Sequence, residues 1–296
     1  MKKADLILTS DWHLRETVPE CRTDDFWQTQ WTKVHQVAEL QKSYGCPVLH
    51  AGDLFHHWKP SPMLLSWTMR YLPDRFYTIY GQHDLPQHNW DNRWKSGIHT
   101  LEEAGSVKVL ETCHYGQEPE ASSFDVPYSR TEYRAVLVWH HMVWQGKRLW
   151  PGQTDPSAIA VLRKYPEYDL ILTGDNHKPF VEEYKGRLLV NPGSLTRQSA
   201  DQIDHLPRVY LYDAYSNAVE PVYLPIQKGD EVISRAHIDK NEERSDRIQA
   251  FISKLTGEWD VTLSFEANVE AYFQSNKVLE SIKKIIYEAI DNEDTA

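Results

Sequence analysis

Five short clusters of Asp, His and amide-bearing residues stand at the ends of apolar, strand-like runs, and nothing else in this 296-residue chain limits its fold as tightly. Asp11 and His13 follow Ala4 to Ser10, Asp53 follows Val48 to Gly52, and Gln82, His83 and Asp84 follow Phe76 to Gly81. His140 follows Tyr133 to Trp139, and Asp175 and His177 follow Leu170 to Gly174. In an open α/β sheet, strand ends that share a direction form one rim, so residues far apart in sequence meet in one crevice. Carboxylate oxygen, imidazole nitrogen and amide oxygen arriving together there suit two hard or borderline divalent cations. Singly, Asp11, Asp53 or His177 reads as a turn or cap residue. In ordered company they point to a two-metal hydrolase.

Helix signals lie between these runs. Thr23, Asp24 and Asp25 mark a helix start, after which Trp27, Trp31, Val34 and Ala38 recur at helical spacing until Gly45. Ser61 with Pro62 opens a second helix toward Leu72, and Asp155 with Pro156 opens another toward Lys164. Each falls between strand candidates, which is the βαβ pattern of an α/β fold. From Phe180 the texture changes to hairpins: Val181 to Tyr184 and Arg187 to Asn191 about a turn at Lys185 and Gly186, then Val209 to Asp213 and Val219 to Leu224. A two-layer sheet core with helices outside is expected.

The last stretch differs. Ile248, Phe251, Ile252 and Leu255 share one helical face within Asn241 to Leu255. Val261, Leu263 and Phe265 alternate like a short strand, and Val278, Leu279, Ile282, Ile285, Ile286 and Ile290 form a second helical stripe. Such stripes either pack on their own core or offer a docking face to a partner helix.

Composition narrows the function classes. The net charge is −11, of which residues 226–296 carry nine basic against fifteen acidic side chains. An acidic chain is not the electrostatic footprint of a protein that grips nucleic acid unaided, although cations bound by some of that acid would offset it. No apolar run approaches the roughly 20 residues that cross a bilayer, so no membrane is expected. Cys21, Cys46 and Cys113 form neither a disulfide framework nor a zinc knuckle, which fits a reducing cytoplasm.

The order Asp-x-His, Gly-Asp, Gly-x-His-Asp, His, Gly-x-x-His resembles the calcineurin-like metallophosphoesterase superfamily over roughly residues 4–225. Gly52 to His56 (Gly-Asp-Leu-Phe-His), Lys178 and Pro179, and Asn191 to Ser194 look most like its SbcD nuclease branch, which works in DNA double-strand-break repair. The resemblance implies an α/β fold with a two-sheet β-sandwich flanked by helices, a catalytic domain at 1–225 and a small helical C-terminal region at 226–296. It implies one metal on Asp11, His13, Asp53 and His177, a second on Asp53, Gln82, His140 and Asp175, and His83 acting on the phosphate, oriented by Asp84. Manganese is the expected ion and magnesium the alternative. Two positions depart from the family pattern, Gln82 where it has Asn and Asp175 where it has His; both replacements offer oxygen, which makes the second site harder and more anionic.

The implied activity is phosphodiester hydrolysis by a water that two cations activate, on a DNA substrate as exonuclease or endonuclease. An SbcC-like coiled-coil ATPase would dock on the C-terminal helices, and a homodimer is compatible with the sequence. Two other function classes stay open: a phosphodiesterase or phosphatase on small nucleotides or phosphoproteins, and a non-catalytic, metal-stabilised binding module. His141 is expected to be structural, and His56 and His57 to line the entrance.

Overall fold

Leu6, Ile7, Leu8 and Thr9 are all buried, the mark of a strand covered on both faces. The structure is a computed structural model and describes residues 3–110, 121–148, 150, 152–236 and 265–293, the side chains at 265–268, 275 and 288–293 excepted. Within it the strands are β1 (Leu6–Thr9), β2 (Val48–His50), β3 (Phe76–Thr78), β4 (Lys108–Val109), β5 (Ala121–Pro127), β6 (Tyr133–Trp139), β7 (Leu170–Thr173), β8 (Phe180–Tyr184), β9 (Arg187–Asn191), β10 (Arg208–Asp213) and β11 (Ala218–Tyr223). They form two sheets, ordered β11-β10-β1-β2-β3-β4 and β5-β6-β7-β9-β8. The runs β1-β2-β3 and β6-β7-β9 are parallel, so the loops that leave these strands share one end of each sheet.

Side-chain alternation divides the core into layers. Leu6, Leu8, Leu49 and Ile79 of one sheet meet Val136, Val138, Leu170, Leu172 and Val190 of the other. The opposite face of the first sheet, with Ile7, Val48 and Phe76, packs on helix α1 (Phe26–Tyr44) through Trp31, Val34 and Val37 and on α2 (Pro62–Tyr71) through Leu64. Ile98 and Leu101 of α3 (Gly97–Glu103) join that cluster. The outer face of the second sheet, with Leu137, Ile171 and Leu189, packs on α4 (Ala158–Lys164). The expected sandwich flanked by helices is the observed fold.

Local chemistry sets the helix ends. Asp25 caps α1 by accepting from the Gln28 amide, and Gly45 closes it in the left-handed conformation at φ 64°. Ser61 caps α2. Helix α4 begins two residues later than Asp155 and Pro156 suggest, because Ser157 provides the cap for the Ala160 amide while the Asp155 carbonyl accepts from the Trp144 indole. Three 3-10 turns across Gln82–Lys95 and the strand β5 carry no clear sequence signal.

The chain divides into two compact units, Met1–Ser234 and Arg235–Ala296. Residues past β11 stay with the first: the Ser234 amide donates to the Cys21 carbonyl at 2.7 Å, and Ile233 bridges to Arg22. In the second unit, Phe265 opens helix α5 (Phe265–Ser275) in place of ending a strand, and α6 spans Glu280–Glu293. The expected helix over Asn241 to Leu255, Val261, Leu263, Cys113 and the side chain of Ile290 lie outside the described residues. Leu279 is 69% exposed, Ile282 40% and Ile285 45%, while Val278 and Ile286 of the same stripe are half-buried. No helix among the described residues is long and apolar enough to cross a membrane.

His50 ends β2 in a fully buried position between the Trp12 and Phe76 rings, its Nδ1 2.9 Å from Thr78 Oγ1. Burial, with His140 nearby and against Asp53, lowers its pKa to about 3. Above pH 6.5 both states hold a neutral imidazole and its contribution is complete; as pH falls from there toward 3, the unfolded chain binds a proton that the folded one refuses. At pH 5 that difference costs about 2 kcal/mol. Urea unfolding at neutral and mildly acid pH should show the wild type losing about that much more stability than His50→Asn, which does not titrate.

Candidate metal centre

The backbone leaves β1 and β2 through turns that few side chains tolerate. Asp11, His13, Asp53 and Asp175 have φ between 45° and 68°, half of the eight positive-φ positions outside glycine in the described chain. Asp and Asn-like side chains enter this region more readily than most, still at a cost of order 1 kcal/mol each. Hydrogen bonds hold them there: the Asp11 amide donates to the Gly52 carbonyl at 3.1 Å and the His13 amide to the Asp53 carbonyl at 3.0 Å. Gly52 (φ 87°) and Gly174 flank the His140 ring so closely that an added side-chain carbon on either would lie 2.7 Å from Nδ1. The absence of side chains there is what lets the imidazole reach the rim.

All nine site residues read from the sequence converge at this end of the two sheets, in different roles. Asp11, His13 and His177 bring one donor atom each within 4.8 Å of one another, and so do Asp11, Asp53 and His140. The Nε2 atoms of His13 and His177 are 3.1 Å apart. Two nitrogens bound to one ion at about 2.1 Å and near a right angle stand about 3 Å apart. Asp53 Oδ2 is 3.6 Å from His13 Nε2 and 3.3 Å from His140 Nε2, between the two groups. Asp11 Oδ2, Asp53 Oδ2 and His140 Nε2 are buried and make no hydrogen bond among the described residues. Unpaired buried donors and acceptors are costly, and cations bound by these oxygen and nitrogen atoms remove the cost. The donor set therefore fits divalent metal ions.

Orientation comes from the backbone. The Ala51 carbonyl meets His140 Nδ1 at 2.7 Å, which fixes the proton there and turns Nε2 toward Asp53. Asp84 does not steer His83 as expected. Its fully buried carboxylate accepts from the amides of Gly81 (3.0 Å), Leu54 (3.2 Å) and Phe55 (3.0 Å), tying the loop after β3 to the loop after β2. His83 is held by the His56 carbonyl, 3.0 Å from Nδ1, and stacks on the His56 ring. His56, read from sequence as an entrance residue, thus joins His13 and His83 in a third close group. Only its place in the Gly-Asp-Leu-Phe-His stretch hinted at this. His141 stacks on Trp139 at 4.1 Å, away from the metal groups.

The two departures from the family pattern touch each other. Gln82 Nε2 donates to Asp175 Oδ1 at 2.7 Å, and Asp175 is not a member of the three close groups among the described residues. The Asp175 amide in turn donates to Asp11 Oδ1 at 3.0 Å.

Charge is arranged to match. Burial raises the Asp11 pKa, opposed by His177 and His140 and aided by Asp53. Burial would also raise Asp53, but His140, His13 and His83 outweigh it and hold the carboxyl well below its ordinary value. Burial lowers His13 far below the usual imidazole range, so it offers a lone pair. His140 goes the other way: burial disfavours its charge, yet Asp53, Asp11 and Asp175 prevail. Burial and the Asp53 charge push Asp84 up to about 7 against the pull of its amide donors.

The Gln82 to Asp175 contact is measurable by a double-mutant cycle. Urea unfolding of the wild type, Gln82→Ala, Asp175→Ala and the double variant in chelator should show a coupling of about 1 kcal/mol, and additivity within about 0.3 kcal/mol would mean no such bond.

The chain is similar to several known proteins. Among curated proteins, the "DNA double-strand break repair protein Mre11" of Halobacterium salinarum is 27% identical over 186 residues, 57% of this chain and 46% of that protein. The chain thus spans about half the length of the relative it matches. Among solved structures, a novel archaeal phosphodiesterase is 14% identical with a TM-score of 0.41, covering 74% of this chain and 99% of that one. Vacuolar protein sorting 29 from Cryptosporidium parvum is 18% identical with a TM-score of 0.38, covering 77% and 100%. Residues 5–211, which hold every rim cluster, match the sequence profile of the calcineurin-like phosphoesterase superfamily domain, and the chain belongs to that superfamily.

Proposed function

We propose that this phosphoesterase is a manganese-dependent DNA nuclease of the SbcD type, acting on phosphodiester bonds. The observation that carries the reading is the pair of close donor groups that share Asp11, with Asp53 between them and the buried atoms Asp11 Oδ2, Asp53 Oδ2 and His140 Nε2 lacking partners among the described residues. Asp11, His13, Asp53 and His177 would hold one ion, and Asp53, Gln82, His140 and Asp175 the other. Two such cations supply a polarised phosphodiester and a water of lowered pKa. The carbonyl and carboxylate oxygens of the set favour manganese or magnesium over softer ions.

His83 does the work left to the protein. With Nδ1 bonded to the His56 carbonyl, Nε2 is the atom available to the substrate. From there it stabilises charge on the phosphoryl oxygens or gives a proton to the leaving oxygen. His83→Ala should lower turnover by about 10²–10⁴-fold. Manganese should still raise the melting temperature of that variant. Full activity on every substrate would exclude this role.

DNA as substrate is supported by the name of the halophile relative and by Arg93, Trp94 and Lys95, an exposed basic and aromatic run just past the third cluster. A net charge of −11 favours the second reading, a phosphodiesterase for small nucleotides. Labelled single- and double-stranded DNA assayed beside bis-p-nitrophenyl phosphate in manganese separates them: DNA cleavage supports the nuclease, model-substrate cleavage alone the small-molecule enzyme, and neither a binding module. Chelation should abolish any activity.

Of the expected catalytic domain at 1–225 and C-terminal region at 226–296, the latter is proposed to serve partner docking through its part beyond Ser234, since residues up to Ser234 pack with the first unit. Support lies in the exposed stripe of Leu279, Ile282 and Ile285, which suits a coiled-coil ATPase. Ile282→Asp with Ile285→Asp should abolish capture of such a partner and leave bis-p-nitrophenyl phosphate hydrolysis unchanged; retained capture would exclude this face.

A further inference from the structure

Beside the first turns of α1 lies a cavity of about 350 Å³ that shares no residue with the metal centre. Three buried cations line it: Arg22, Lys33 and Arg197, of which Lys33 is 3% exposed. Two of them are committed to the fold. Arg22 pairs with Asp24 through Nε (2.7 Å) and Nη2 (2.6 Å) and donates from Nη1 to the Arg197 carbonyl at 3.2 Å. Arg197 donates from Nε to the His205 carbonyl and from Nη1 to the Gln227 carbonyl, leaving Nη2 without a hydrogen bond among the described residues.

Lys33 is different. Among the described residues its ammonium makes no hydrogen bond and no ion pair. The two carboxylates on the lining are already engaged, Asp24 by Arg22 and Thr29 and Asp25 as the cap of α1. A lysine charge in this position is paired or disfavoured. Burial and Arg22, with Arg197 and against Asp24, lower its pKa to about 8. One part of the wall is apolar, with Pro207, Pro225, Ile226 and Val232, and the remainder is the polar set Gln28, Thr29, Thr32 and Gln227.

We propose that this cavity binds a phosphate monoester, with a nucleoside monophosphate as its ligand class, the phosphate on Lys33 and Arg197 Nη2 and the base against the proline and isoleucine wall. The charges on the lining leave one cation in excess, which a phosphate oxygen satisfies. Arg and Lys donors suit phosphate, and the volume falls in the range of small-ligand sites, about 300–1,000 Å³. The site stands whether or not the metal centre cleaves DNA.

Calorimetric titration of the full chain in chelator tests it, because without divalent ions the metal centre cannot hold the phosphate. Adenosine monophosphate should bind saturably, inorganic phosphate more weakly, and adenosine not at all. Lys33→Met removes a buried charge, a change that is often neutral or stabilising. It should weaken binding by at least about tenfold, with Lys33→Arg restoring it. Should Lys33→Met not fold, Ile226→Glu, at a 38% exposed wall position, should weaken binding as well. No saturable binding, equal binding of adenosine, or binding unaffected by Lys33→Met and Ile226→Glu would overturn the proposal. Phosphate binding as tight as the nucleotide would remove the nucleoside from it.

Discussion

Two carboxylates shut away from water organise everything around them. Asp11 is fully buried and Asp53 is 1% exposed, and taking such charges out of water costs several kcal/mol each unless they are compensated. Compensation comes first from the chain: the Asp175 amide reaches Asp11, the His83 amide reaches Asp53, and His13 and His140 stand beside Asp53. To aim those amides inward, the loops must turn through positive φ at Asp11, His13, Asp53 and Asp175, a distortion the parallel strands and the Asp84 tie support. The remaining need, at Asp11 Oδ2 and Asp53 Oδ2, is one that bound divalent cations meet.

The same economy explains why Gln82 and Asp175 occur together. A glutamine reaches one methylene further than asparagine, and an aspartate is shorter than a histidine. The gap that each substitution would open alone is closed by the 2.7 Å bond between them. That bond orients both side chains and spends one carboxylate oxygen on the amide. That side of the cleft thereby presents oxygen atoms where the family pattern read from the sequence has an imidazole.

Much of this is legible in the amino-acid order, for a physical reason. Parallel strands buried on both faces read as continuous apolar runs, and their ends carry the polar residues, so the five clusters and the layered fold follow from pattern alone. Capping residues such as Asp25 and Ser61 mark helix starts because their chemistry is local. What escapes is what depends on distant partners. Asp84 lies beside His83 in sequence, yet its carboxylate is claimed by Leu54 and Phe55, which β2 brings into reach. His56 enters the site through its carbonyl, an atom that side-chain patterns never report. The strand Ala121–Pro127 hides because it alternates only weakly and pairs antiparallel at a sheet edge. The Lys33 cavity is invisible for the same reason: its three cations are up to 175 positions apart, and only the fold joins Arg22 to Arg197.

Charge sets an order of events if the substrate is nucleic acid. The chain as a whole is acidic, and the rim itself carries Asp11, Asp53 and Asp175, so a metal-free protein repels a phosphate backbone where cleavage must occur. Two divalent ions outweigh those three carboxylates by one charge and reverse the local field. Metal occupancy then governs substrate attraction as well as chemistry, and weakly bound ions would make affinity for DNA depend on metal concentration. An acidic surface becomes an asset under that rule, since strands held elsewhere on the molecule are repelled and the metal-loaded rim is the favoured landing place. The exposed Arg93 and Lys95, at the end of the third rim loop, and Lys178, beside His177, extend that favourable field outward.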